Sequence, residues 1–248
     1  MGGRGATIGQ QENFGKIETK REDTFHKDTK TKRNLPSIQK LNKINVVVMS
    51  STDNINEEIL NPNLEKLHQI LSKEEIFLKH LEKEPLYIRS EKINQETTHA
   101  VFANHGMRLQ RPQIIYNKNY TKKTKAEIEQ LMQDRMSKNI WTKSDKNELI
   151  NHVIVHELGH YVQSILIEEK YKGLTSNKKF NKMYEAELMY NDIKEICLKK
   201  FGKSAVTSIY GDKDKAEFFA ETFAEFFTTK KPSYTACALG IYLKEKLR

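Results

Sequence analysis

Within "HVIVHELGHYVQSI", residues 152–165, two histidines stand four apart and a glutamate follows the first. On a helix His156 and His160 share one face, about 6 Å apart along the axis. Two imidazoles in that relation can converge on one zinc, each about 2.0–2.1 Å from it. Glu157 projects about 100° round the helix, beside such an ion and not on it, where a general base for an activated water belongs. Val153, Ile154, Val155, Leu158, Val162, Ile165 and Leu166 would bury this helix on most sides. Three polar groups among them are costly to bury unless paired or ligated. Gly159 leaves room for another element to approach closely. His152, one turn earlier on the same face, is the alternative ligand. No Glu follows it in the base position, so an outer neighbour or a surface residue is the favoured reading.

A catalytic zinc needs three protein ligands and one open position. The source of the third is "SIYGDKDKAEFFAETFAEFF", residues 208–227, where Glu217, Glu221 and Glu225 recur every four residues on one helical face. Like charges at that spacing repel, and Phe218, Phe219, Phe223, Phe226 and Phe227 cover the other faces. Purely structural roles compete for two of the three. Asp214 and Glu217 have the spacing of a capping box, and Glu225 reads as a solvated edge.

"HELGH" followed by a Tyr-Gly and then "EFFAETFA" resembles the zinc peptidases of the anthrax lethal factor type, to which the bacterial Pro-Pro endopeptidases are related. The likeness spans residues 150–229. It implies a zincin-like fold and a ligand set of His156, His160 and Glu217. It also implies a Tyr seven residues before the ligating Glu, here Tyr210, that faces the metal and steadies the oxyanion. Glu221 then matches a second Glu that orients a ligating His. The segment between His160 and Glu217 is longer than in compact members of that family. The opening "MGGRGA" is similar to starts found in phage and mobile-element proteins.

The elements that must hold these residues are legible from periodicity. "INVVVMSS" (44–51), "PLYIRSE" (85–91), "HAVFAN" (99–104) and "PQIIYNKNY" (112–120) read as strands. The resemblance implies an upstream edge strand that pairs with an extended substrate, and "PQIIYN" is the candidate for it. Helices are expected over 61–83 with a break near Ser72, and over 124–138. A long helix starts at a Ser144 or Asp145 cap and ends at Gly173 with Ser176 and Asn177. Further helices run over 181–200, 214–229 and from Ser233. The fold class is therefore α+β: a strand-helix part at 42–143, a helical part at 144–248, together one catalytic domain, preceded by a disordered basic tail at 1–41.

Hydrophobic residues make up 37% of the 248 and charged residues 30%, a soluble composition. No apolar run approaches a membrane span and no secretory leader is evident, so the expected location is the cytoplasm. Cys197 and Cys237 are read as reduced thiols. The net charge of +9 is dispersed, with nine Lys/Arg against five Asp/Glu in residues 1–40. That admits a nucleic-acid surface but favours a generally basic, well-solvated protein. The expected activity is a zinc-dependent endopeptidase acting on a protein or peptide substrate, with Zn2+ as cofactor. The rival reading is a catalytically dormant, zinc-bearing phage structural or interaction protein.

Overall fold

The computed structural model describes residues 44–48, 55–95, 98–103, 111–172 and 182–247. The expected tail at 1–41 and the stop signals at Gly173, Ser176 and Asn177 lie outside them. The chain is mixed α/β, with eight helices and one four-stranded sheet among the described residues, and none of these helices is long and apolar enough to cross a membrane. It divides into two compact units, one of residues up to 72 and 78–124, the other of 73–77 and 125 onward.

The first unit carries β1 (Val46–Val48), α1 (Glu57–Leu71), most of α2 (Glu75–Lys83), β2 (Leu86–Glu91), β3 (Ala100–Ala103), β4 (Gln113–Asn117) and the short α3 (Lys118–Thr121). The sheet order is β1-β2-β4-β3, with β1, β2 and β4 parallel and β3 antiparallel to β4. Ile114 pairs with Ile88 on one side and Phe102 on the other. The strand expected over 112–120 stops at Asn117, whose side chain caps α3 by accepting the Asn119 N–H, and the expected role of "PQIIYN" is corrected as well. The segment is an interior strand with every residue buried, and both its hydrogen-bonding edges are already used, so it has no edge to offer a substrate. Its unbroken apolar run is the mark of a strand covered on both faces.

Helix α1 begins earlier than periodicity indicates, because Asn56 caps it by accepting the Glu58 N–H at 3.0 Å. Pro62 therefore falls inside the helix rather than near its start. Ile59, Leu64, Leu67 and Leu71 are fully buried, as are Leu86 and Ile88 of β2. Asn63 of α1 donates to the Tyr116 hydroxyl of β4 at 2.9 Å, a buried polar tie.

The second unit is helical: α4 (Lys125–Ser137), α5 (His152–Lys170), α6 (Lys182–Phe201), α7 (Lys215–Thr228) and α8 (Tyr234–Lys246). Residues 146–151 form a 3-10 segment, so the helix expected from Ser144 or Asp145 starts only at His152. Neither candidate serves as the cap of α5. The Asp145 carboxylate accepts from the Thr229 hydroxyl (3.1 Å) and the Lys230 N–H (3.0 Å), and its own N–H donates to Thr228 O (2.9 Å). That clamp ties the start of the 3-10 segment to the end of α7.

Helices α5 and α7 cross at Gly159. A Cβ there would stand 2.9 Å from the Ala220 Cα and 3.2 Å from the Phe223 Cβ, so only glycine permits the approach. This is the close neighbour the sequence left room for. Phe219 and Phe223 are fully buried, and burial of such rings stabilises the unit by about 1.5–3 kcal/mol each. Helix α6 ends at Gly202, whose φ of +63° is the usual left-handed stop.

Candidate metal centre

Each wall of the site is set by local chemistry. Helix α7 starts where it does because Asp214 accepts from the N–H groups of Ala216 and Glu217, both at 2.9 Å. Such a cap contributes about 1 kcal/mol. The cap half of the expected box is therefore present, while the Glu217 carboxylate turns to the histidines of α5. Tyr210 is held by a backbone pairing. Asn139, at φ 53°, lets the chain turn at the end of α4. Asn139 O and Ile140 O then accept from the N–H groups of Ile209 (2.9 Å) and Tyr210 (3.0 Å).

The geometry brings His156, His160 and Glu217 together. One Glu217 oxygen, Oε2, lies 3.1 Å from His156 Nε2 and 3.5 Å from His160 Nε2. One ligand atom from each of the three falls within 4.8 Å of the others, the only such group of three or more His, Cys, Asp or Glu residues among the described residues. Donors about 2.0–2.2 Å from a tetrahedral zinc stand about 3.3–3.5 Å apart, so the observed spacings suit that ion. Glu217 Oε2 is buried and has no hydrogen-bond partner, an orphaned acceptor facing two imidazole nitrogens.

Glu221 decides which imidazole atom is presented. Its Oε2 accepts from the Thr142 N–H and the Ser208 hydroxyl, both at 2.8 Å, and its Oε1 lies 2.9 Å from His156 Nδ1. Burial by itself would raise the Glu221 carboxyl, but the facing imidazoles of His152 and His156 outweigh this and hold it well below the usual carboxylate range. A carboxylate only accepts, so Nδ1 of His156 carries a proton and Nε2 turns toward Glu217. At 3.1 Å, Nε2 and the Glu217 oxygen need either a proton or a metal ion between them. Burial would lower the His156 imidazole, yet the facing carboxylates of Glu217 and Glu221, with Glu157 beside them, raise it well above its ordinary value. Glu217 answers in the opposite sense: burial pushes it up, His160 and His156 pull it further down, and it stays ionised.

Glu157 is buried on α5, and its charge helps raise both His156 and Tyr210. The Tyr210 ring lies 5.7 Å from the His156 ring and is edge-on to it, with Trp141 at 6.4 Å and the Lys213 ammonium 3.7 Å over its face. Burial first, then the carboxylates of Glu217, Glu157 and Glu221, push its phenol above the ordinary tyrosine value. It therefore remains a hydrogen donor at neutral pH. His160 and Glu217 keep part of their side-chain surface exposed, 19% and 16%, so the cluster is reached from that side.

Glu225 differs from expectation. It is buried, not a solvated edge, and it accepts from the Ser233 N–H (2.8 Å) and hydroxyl (3.0 Å) at the start of α8. Its partner lies just beyond Pro232, where helical periodicity has already stopped. Thr142, Ser144, Ser208 and Trp141 belong to the site's support and carry no motif. Thr142 reaches Glu221 across 79 positions, a relation that no local spacing reveals. Comparison of the chain with protein-family models, curated proteins and solved structures returns no match.

Proposed function

We propose that this chain is a zinc-dependent endopeptidase with a zincin-like catalytic core, in which His156, His160 and Glu217 hold the ion. The observation that carries the reading is the His156–Glu217 contact. The Glu221 bond at Nδ1 leaves Nε2 facing an unpartnered carboxylate oxygen at 3.1 Å. A proton could bridge that pair, but the convergence of His160 on the same oxygen favours a larger cation with several ligands. The resemblance of "HELGH" and "EFFAETFA" to the lethal factor-type peptidases supports the same ligand set.

Zinc bound there supplies a water of pKa about 7 and a Lewis acid for the scissile carbonyl. Glu157, beside His156 and not part of the ligand set, accepts the proton of the attacking water and returns it to the leaving amine. Tyr210, kept protonated by its surroundings, donates a hydrogen bond to the oxygen on which negative charge develops. Glu221 keeps the Nδ1 proton of His156 in place and so keeps the ring aimed. The substrate is an extended protein or peptide, and the thiols of Cys197 and Cys237, both free, suit a reducing cytoplasm.

The test compares the zinc-loaded chain with Glu157→Gln on a mixed peptide library read by mass spectrometry. Both forms are expected to hold one zinc, and only the unmodified chain to release fragments. Full zinc occupancy with no cleavage by either form would favour the dormant structural protein instead. An intact Glu157 and a protonated Tyr210 beside the ligands argue against that rival, because a purely structural zinc site uses neither.

A further inference from the structure

We propose that His152 is a positioning residue of this site: it is protonated on both ring nitrogens, donates from Nδ1 to Ser144 and from Nε2 to Glu221, and thereby holds Glu221 against His156. The proposal rests on the zinc reading for what that orientation serves. Hydrogen counting places the proton on Nδ1, and the buried contact with Glu221 places the one on Nε2.

The count starts at Thr228. Its hydroxyl oxygen lies 2.6 Å from Ala224 O and 2.6 Å from Ser144 Oγ. Oxygens that close share a hydrogen. A carbonyl cannot donate, so the single Thr228 hydrogen goes to Ala224 O. Ser144 must then donate to Thr228. Having spent its only hydrogen, Ser144 can only accept in its 2.9 Å contact with His152 Nδ1. Nδ1 of His152 therefore carries a proton.

That leaves Nε2, which is buried, has no hydrogen-bond partner, and lies 3.6 Å from Glu221 Oε1. His152 and Glu221 are each only 1% exposed. A bare Nε2 would set a lone pair against a carboxylate at a separation too short to admit a water between them. A proton there turns the contact into an ion pair, the form in which a buried carboxylate is tolerated. The other donors to Glu221 are the Thr142 N–H, the Ser208 hydroxyl and the His156 Nδ1–H. All three are neutral once His156 Nε2 ligates an ion, so His152 is the counter-charge. Trp141 stacks on the His152 ring at 5.4 Å and 17°, presenting the face that favours a cation.

Two measurements test this. Zinc affinity is read by competition with a chromophoric chelator for the unmodified chain and for His152→Gln, His152→Asn and His152→Leu. Glutamine places its amide N–H where Nε2 stood, toward Glu221. Asparagine places its own where Nδ1 stood, toward Ser144. Glu221 is the outer partner of the ligating His156, and a Glu221 no longer held in place weakens metal binding toward the roughly ten- to hundredfold cost of losing such a partner. That loss is expected for His152→Asn and His152→Leu, with His152→Gln within about threefold of the unmodified chain. Long-range proton–nitrogen NMR of the unmodified chain at neutral pH, assigned by the signals lost in His152→Gln, is expected to show protons on both nitrogens. A bare Nε2, unchanged affinity in His152→Leu, or equal losses in all three variants would overturn the proposal. Failure of the zinc reading looks different: the unmodified chain takes up no zinc, and the NMR result alone then decides the role of His152.

Discussion

Glu221 Oε1 sits 2.9 Å from His156 Nδ1, and this one contact determines which side of the imidazole meets Glu217. The two carboxylates, one turn apart on α7, therefore do different work on the same ring: Glu221 accepts from Nδ1–H and Glu217 faces Nε2. That division separates the first expected outcome. Glu217→Ala should abolish stoichiometric zinc binding. Glu221→Ala should weaken it about ten- to hundredfold while still allowing saturation. Metal analysis after gel filtration, with chelator competition, distinguishes them. If Glu221→Ala strips the ion and Glu217→Ala does not, the ligand assignment is reversed.

In the proposed mechanism Tyr210 acts on charge that develops during reaction, not on the resting ion. Tyr210→Phe should retain zinc and KM and lower kcat by about 10²–10³-fold, the usual effect of removing one oxyanion donor. A matching loss of zinc would instead mean that the ring serves as a wall of the metal site.

Gly159→Ala should destabilise the protein. Helix propensity alone predicts the reverse, a gain of about 1 kcal/mol. The added methyl, however, would stand 2.9 Å from the Ala220 backbone, and overpacking of this kind costs about 1–3 kcal/mol. Because α5 and α7 carry the proposed ligands, zinc affinity should fall as well. Chemical denaturation with and without zinc reads both effects, and a rise in stability would show that the crossing is looser than described.

Glu185 gives a pH-dependent outcome remote from the metal centre. It is buried near the start of α6, where it accepts from Lys170 at 2.7 Å and from the Tyr171 hydroxyl at the end of α5. Burial would raise its carboxyl, but the bonds to Lys170 and Tyr171 lower it below the ordinary value. A depressed carboxyl stabilises the fold above its unfolded pKa, about 4.3, and that contribution fades as pH falls through the folded value. Glu185→Ala should therefore cost about 1–3 kcal/mol near neutral pH, with the deficit shrinking below about pH 4. Thermal unfolding of both forms between pH 3 and 7 checks this, and a pH-independent difference would refute the linkage.

The elements were largely legible because their signals are local. Asp214, Ser233 and Gly202 mark helix ends by their own backbone chemistry; α4, α6 and α7 begin and end, and α8 begins, within one residue of where periodicity puts them. The misplaced starts share a cause. Asn56 begins α1 before the pattern shows, and Asp145 spends its carboxylate on Thr229 and Lys230, leaving α5 to start at His152. The pairing of "PQIIYN" was not legible at all. An interior and an edge strand of the same composition differ only in which strands arrive beside them.

The sequence by itself determined the chemistry available here: two imidazoles one turn apart with a carboxylate after the first, and a second helix carrying glutamates at the same repeat, because helical spacing is a property of neighbours along the chain. Tertiary structure alone decided which glutamate faces the imidazole nitrogens, which holds a ring proton and which caps the next helix. Those roles depend on where α7 crosses α5 at Gly159, and on partners as distant as Thr142, Ser144 and Ser208. Hydrogen bonds are short and directional, so only the folded arrangement of these helices assigns them.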